Sequence, residues 1–477
     1  MQVARFRPMD LYAFRSEPSR ATKSSGTCQD MLHALSWVRH SCLIWPRIRQ
    51  LDRDGNGWTH APSARQGRRR MRLETVDDYL AGIERTAAGF GLDIRRVRIG
   101  TSSQGREVVA YAIDGLPRKL LILGFPHPNE PLSQVVILHL LERAALMTGT
   151  GRDTWWLVPV WDVDGAHMNE LWWSQPNGLT LTGMVEGWFR AATRYQVEWD
   201  FPLSYNDYEH ETVLPETAAV ARLIDRIHPD GLISLHNGTV GAAYAYAGGP
   251  DASLALAIAG VLADSGLEVL RHTPVPYCNS LAKGVFSLPL AEHEIDFLKS
   301  AGDFGSDYTN GAASFEYMGK SCRSLVLELP LFSLDAALVP GTPDEFAVRL
   351  KILWSHFEDD LCTVFPRKNA GTTTDLLLSS PREFWERRTS DSAYVHSVCN
   401  QMQEWPRDEA VDRYFGLVFS IATQYAQMAR ALGREIGGSA QCFAELAHLA
   451  PAVSTIGTSD VERVADGIIR AFVGEQI

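Results

Sequence analysis

Between residues 71 and 340, short apolar runs alternate with stretches of helical period, and this alternation restricts the fold more than any other feature of the chain. Residues 108–113, 119–124, 155–160, 231–235 and 324–329 are apolar runs stopped by Gly, Pro or a charge, as buried strands are. Residues 133–147 and 216–227 carry their apolar side chains at helical spacing, the second behind Pro215, which suits a first helical turn. Thr75 stands where an N-cap belongs ahead of a further helix. Strands separated by helices pair mostly in parallel and need cover on both faces. The predicted fold is therefore α/β, a mostly parallel or mixed central sheet with helices on both sides. Binding groups in such sheets gather where strands end.

The flanks read differently. Residues 1–70 hold 13 Lys and Arg against 5 Asp and Glu, end in a basic run before Met71, and show no periodicity. They are expected to be either a disordered basic arm or a stretch ahead of a true start at Met71. A domain over 71–345 follows, then a linker over 346–374 and a helical extension over 375–477. That extension could serve as lid, packing cap or dimer surface, and the oligomeric state stays open. From residue 71 onward 32 basic residues face 52 acidic ones, so a nucleic-acid partner is not expected, since phosphates need a cationic face. No apolar stretch is long enough to span a bilayer, so no membrane partner is expected. Seven scattered cysteines form no CxxC pair, which fits a reducing cytoplasm better than a disulfide framework.

Chemistry concentrates in Leu121-Ile-Leu-Gly-Phe-Pro-His127-Pro-Asn-Glu130-Pro131. A strand stops at Gly124, and the turn offers an imidazole and a carboxylate three residues apart. A hydrolytic zinc site wants three ligands from His and carboxylate and one open position for water. A third ligand is expected from the tip of another strand, and Gly231-Leu-Ile-Ser-Leu-His236 supplies it. Glu328 lies in the apolar run Ser324-Leu-Val-Leu-Glu328, where an ionised carboxylate is costly unless paired or functional. It is the expected general base, with a salt bridge to Arg323 as the plainer alternative. His139 reads as a side chain on a packed helix, His228 as a helix C-terminal residue and His293 as part of a surface helix.

Taken in order, these segments resemble the zinc carboxypeptidases of the carboxypeptidase A type, over residues 71–340. Ile99-Gly-Thr-Ser-Ser-Gln-Gly-Arg-Glu107 is similar to that family's Gly-x-Ser-x-x-Gly-Arg segment. His127-Pro-Asn-Glu130 matches its HxxE pair, Asp162-Val-Asp164-Gly165 its Asn-Pro-Asp-Gly turn, and Pro215-Glu216-Thr217 the start of the helix before the ligand strand. The resemblance implies a zinc ion on His127, Glu130 and His236 and a catalytic Glu328. It also implies an Asn-Arg pair gripping the substrate's terminal carboxylate, but Glu198 and Trp199 stand there, and Asn129 replaces the usual Arg between the ligands. Arg190 or Arg194 is left to polarise the scissile carbonyl, and Tyr308 to match a mobile tyrosine. Trp155, Trp156, Trp161, Trp172, Trp173 and Trp199 could line a substrate pocket or simply pack.

The expected activity is zinc-dependent hydrolysis of a peptide or small amide, the substrate being a modified or unusual peptide because the carboxylate clamp is lost. Two alternatives remain. One is an N-acyl amino-acid deacylase of the aspartoacylase or desuccinylase type, towards which Asn129 leans. The other is a non-catalytic zinc-binding homologue, which the retained Glu328 opposes.

Overall fold

The computed structural model describes residues 71–147, 153–249, 252–301, 304–305, 308–319, 322–365 and 376–474; the basic segment 1–70 lies outside them. The chain opens with α1 (Val76–Gly89), whose N-cap Thr75 accepts the Asp78 amide. β1 (Arg95–Thr101), β2 (Glu107–Ile113) and β3 (Leu116–Gly124) follow, then α2 (Ser133–Leu146), β4 (Asp153–Val158), α3 (Val163–Trp173) and α4 (Leu181–Gly187). A short hairpin of β5 (Leu203–Tyr205) and β6 (Tyr208–His210) precedes α5 (Pro215–Ile227). Next come β7 (Gly231–Val240), β8 (Tyr244–Gly248), α6 (Ala252–Asp264), β9 (Ser280–Ala282), β10 (Val285–Ser287), α7 (Ala291–Ala301), α8 (Ser314–Tyr317) and β11 (Arg323–Leu334). The C-terminal third is α9 (Pro343–Val364), α10 (Leu376–Gln401), α11 (Arg407–Leu432), α12 (Ser439–Leu449), β12 (Val453–Thr455) and α13 (Thr458–Val473).

Among the described residues one sheet runs in the order β1-β2-β4-β3-β7-β11-β8-β10-β9, with β12 added on β11. Its centre, β4-β3-β7-β11, is parallel, and antiparallel pairs flank it, so the sheet is mixed with a parallel heart. All ten residues of β7 are buried, which is why its sequence shows no regular alternation of apolar and polar side chains. Helices cover both faces, and no helix among the described residues is long and apolar enough to cross a membrane.

Two expectations need correction. His236 was placed at a strand tip, yet β7 continues to Val240, because residues 237–240 stay paired with β11. Neither His236 nor Glu328 ends its strand; they sit opposite each other in mid-strand. The opening arises because β3 stops at Gly124, opposite Leu235, while β7 and β11 run on. The stretch assigned to a linker from 346 is helical as far as Val364, under a capping box formed by Thr342 and Glu345. Of two apolar clusters, the larger runs from Met71 to Phe472 and takes in the C-terminal helices, while the smaller, with Leu121, Trp161 and Val326, does not. α13 packs on α6 and α2, and β12 extends the sheet, so the C-terminal helices share the interior of the α/β part.

Candidate metal centre

The turn after β3 is fixed from several directions. A Cβ on Gly124 would stand 2.5 Å from the Pro159 carbonyl oxygen, so only glycine lets β3 and the turn after β4 approach this closely. Phe125, fully buried, then takes a left-handed φ of 48°, a strained setting for a side chain of its size. Its carbonyl accepts the Asp162 amide at 3.1 Å, and its amide donates to Ser133 Oγ at 3.3 Å. The chain is thereby swung out so that His127 faces β7. Asn237, next to His236, accepts the Leu132 amide at 3.0 Å and ties the turn to that strand.

Three segments of the motif series are knitted together behind this turn. Asp164 accepts from Ser102 Oγ (2.8 Å), the Gln104 amide (2.8 Å) and Arg106 Nη1 (2.7 Å). Glu216 accepts from the amide and hydroxyl of Ser103 at 2.8 and 3.1 Å. Thr217 Oγ1 donates to the Val197 carbonyl at 2.8 Å and so anchors the loop carrying Glu198 and Trp199.

His127, Glu130 and His236 converge, all buried, with one ligand atom of each within 4.8 Å of the others. His127 Nδ1 lies 2.9 Å from Glu130 Oε1, His236 Nδ1 lies 3.0 Å from Glu130 Oε2, and the two Nδ1 atoms are 3.2 Å apart. Ligand atoms around a tetrahedral divalent ion with bonds near 2.1 Å stand about 3.4 Å apart, so this triangle is close to the size such an ion needs. Ser234 Oγ, 3.0 Å from His236 Nε2, can accept a hydrogen bond from Nε2–H and so leave Nδ1 unprotonated and free to bind.

The surrounding charge favours a cation. Glu328 has neither oxygen hydrogen-bonded, and Oε2 of Glu198 is also without a partner, although both carboxyls are buried. Burial pushes Glu328 up to about 8 and Glu198 up to about 7, against the pull of His236. Burial likewise raises Asp162 to about 7. Burial works to lower His236, but Glu130, Glu328 and Glu198 outweigh it and raise the ring to about 9, while burial and Arg190 push His127 down to about 3. Burial opposes ionisation of Glu130 as well, yet the two histidines hold it well below the usual carboxylate range. A metal ion here would supply the positive charge that Glu130, Glu328 and Glu198 draw towards His236. The residues fit a divalent ion, with one contact opposed. The Trp199 indole N–H donates to His127 Nε2 at 3.2 Å, the nitrogen that must carry the proton once Nδ1 binds metal.

Solved structures to which the chain shows a distant similarity include metallo-carboxypeptidases. The carboxypeptidase A of Helicoverpa armigera is 12% identical over 75% of this chain and 80% of its own, with a TM-score of 0.35. A metallo-carboxypeptidase of Pseudomonas aeruginosa is 15% identical over 70% of each chain, at 0.34. One from Burkholderia cenocepacia is 18% identical over 53% of this chain and 58% of its own, at 0.30. No protein-family model and no curated protein matches the chain.

A cavity of about 290 Å³ lies beside the triad, lined in part by His236, Glu328, Glu198 and Trp199. Of the six tryptophans considered from sequence, Trp199 alone lines it; the other five are buried packing residues. Arg190 is brought to the triad, its Nη1 3.5 Å from Glu130 Oε1, but it is held by Gln196 and does not line the cavity. Arg194 lies over the Tyr195 ring instead. The Tyr308 hydroxyl donates to Glu294 at 2.8 Å and is likewise outside the lining. His139 pairs with Asp466 on the packed face of α2, His228 ends α5 in a left-handed turn, and His293 lies exposed on α7. Sequence reasoning missed the far wall, where Tyr394 of α10 and Asp408, Glu409 and Asp412 of α11 face the cavity.

Proposed function

We propose that this chain is a zinc-dependent amide hydrolase, with His127, Glu130 and His236 as metal ligands and Glu328 as the general base. The observation that carries the reading is a buried His-Glu-His triangle of ligand size beside a carboxyl whose two oxygens have no partner. A bound ion supplies Lewis acidity, which makes water nucleophilic near neutral pH and polarises a carbonyl. With the ion beside it Glu328 ionises well below the value of about 8 that burial alone imposes, and from across the strand pair it takes the proton from the attacking water and returns it to the departing amine. Arg190 offsets charge at Glu130 and is not a substrate clamp. Glu198 gives no grip on a terminal carboxylate, so a small or modified peptide or amide is the proposed substrate.

Metal analysis and an amide-substrate panel test this together. Wild type should hold one zinc per chain, and His236→Ala should lose it. Glu328→Gln should keep the metal and lose hydrolysis by about 10²–10⁴-fold, the contribution of a positioned base. Unchanged turnover in Glu328→Gln would remove the base assignment. A wild type that binds zinc and cleaves no amide would be a binding protein.

A further inference from the structure

We propose that the cavity beside Glu328 selects a substrate carrying a positive charge, an alkylammonium or guanidinium group, with Glu198 as the residue that receives it. The inference rests on the hydrolase reading, in which this cavity is where substrate sits. Its floor holds Glu198, 0% exposed, with Oε1 accepting from Ser314 Oγ at 3.1 Å and Oε2 without a partner. A buried carboxylate oxygen left this way is expensive unless something outside the protein completes it. The chemistry that completes a carboxylate is an N–H donor with positive charge.

The rest of the lining agrees. Glu268, Asp408, Glu409 and Asp412 ring the outer part, and Glu294 lies in the wall, so that seven carboxyls face the cavity against two arginines and two histidines. Burial raises Asp412 to about 6, with Glu268 and Asp408 adding to the shift, so these acids repel one another in the empty cavity. Tyr244, Tyr246 and Phe315 supply aromatic wall between rim and floor, a surface that attracts organic cations. The carboxyls outnumber the cationic side chains of the lining, so a cation is favoured over an anion on the way in, and at about 290 Å³ the space suits a small molecule or a single side chain.

Calorimetry with two probes of similar length, the dicationic 1,5-diaminopentane and the neutral 1,5-pentanediol, tests this on the zinc-loaded full chain. The diamine should bind and the diol should not. Glu198→Gln should weaken the diamine by about tenfold or more and keep its zinc, and the double variant Asp408→Asn, Glu409→Gln should weaken it by a few fold, with a reduced salt dependence. The rim variant keeps the question open to an answer should Glu198→Gln fold poorly. The diol binding as tightly as the diamine, or a diamine affinity unmoved in both variants, would overturn the proposal. So would loss of zinc in Glu198→Gln, which would make that carboxyl part of the metal centre. Diamine binding without any amide cleavage would sink the hydrolase reading alone, whereas amide cleavage without diamine binding would sink this one alone.

Discussion

At the scale of single residues, Trp199 is the group whose chemistry conflicts with its neighbours. Its indole can only donate, and it donates to the outer nitrogen of His127. With metal on Nδ1 that nitrogen bears the ring proton, so two donors would face each other at about hydrogen-bond distance. The indole must turn away before the site fills, and that rearrangement weakens metal binding. Trp199→Phe removes the donor while keeping an aromatic ring in the cavity wall. The variant should bind zinc more tightly by about tenfold, the scale on which partners of ligating histidines act. Chelator competition measures this directly, and equal or weaker affinity in the variant would show that the indole does not oppose the metal. The His-x-x-Glu spacing was legible in the sequence because both ligands sit on one turn. The part played by Trp199 was not, because it depends on where a loop more than seventy residues away is laid down.

At the scale of elements, what could be read was the alternation of strand and helix, and what could not was where strands end. β7 and β11 are buried along almost their full length, so side-chain pattern carries no mark of the point where β3 drops out and leaves His236 beside an opening. The acids of α11 were illegible for another reason: Asp408 and Glu409 in a first turn read as ordinary complements to the helix dipole. α10 carries a further acid of interest. Asp391 is buried, and burial, with Glu383 and Glu358 nearby, raises its carboxyl to about 7 in spite of Arg387 Nη2 at 3.3 Å. In the unfolded chain the same group titrates near 4. Between those values the folded state binds more protons, so stability falls as pH rises from about 4 to about 7 and the loss is complete above that. Asp391→Asn removes this dependence. Its stability relative to wild type should improve by more than ~1 kcal/mol between pH 5 and pH 8, read from denaturant melts at both. A difference that stays constant across that range would mean the carboxyl is ionised throughout.

At the scale of the whole molecule, the sequence suggested a body with an added helical tail, and the packing shows shared walls. Phe346 of α9 stacks on Tyr414 of α11 with centroids 4.8 Å apart, and Trp188, just after α4, meets Phe419 edge-on at 5.4 Å. Phe472 of α13 lies against Gly231 at the start of the ligand strand, and Arg143 of α2 is paired with Asp466. The boundary looked plausible in sequence because helix-rich composition changes there, and composition says nothing about which core a helix enters. Removing residues 366–477 would strip one flank from that core and one wall from the cavity. Each large aromatic side chain left without its partners forfeits about 3–5 kcal/mol, and a folded protein has only about 5–15 kcal/mol in total. A chain ended after Phe365 should therefore collapse into aggregates or a loosely packed state that lacks a cooperative melt, and should bind no zinc. Circular dichroism melts and metal analysis of that truncation decide the matter. A soluble truncation that melts cooperatively and keeps its metal would mean that the α/β part holds its own core, and that the C-terminal helices serve the cavity alone.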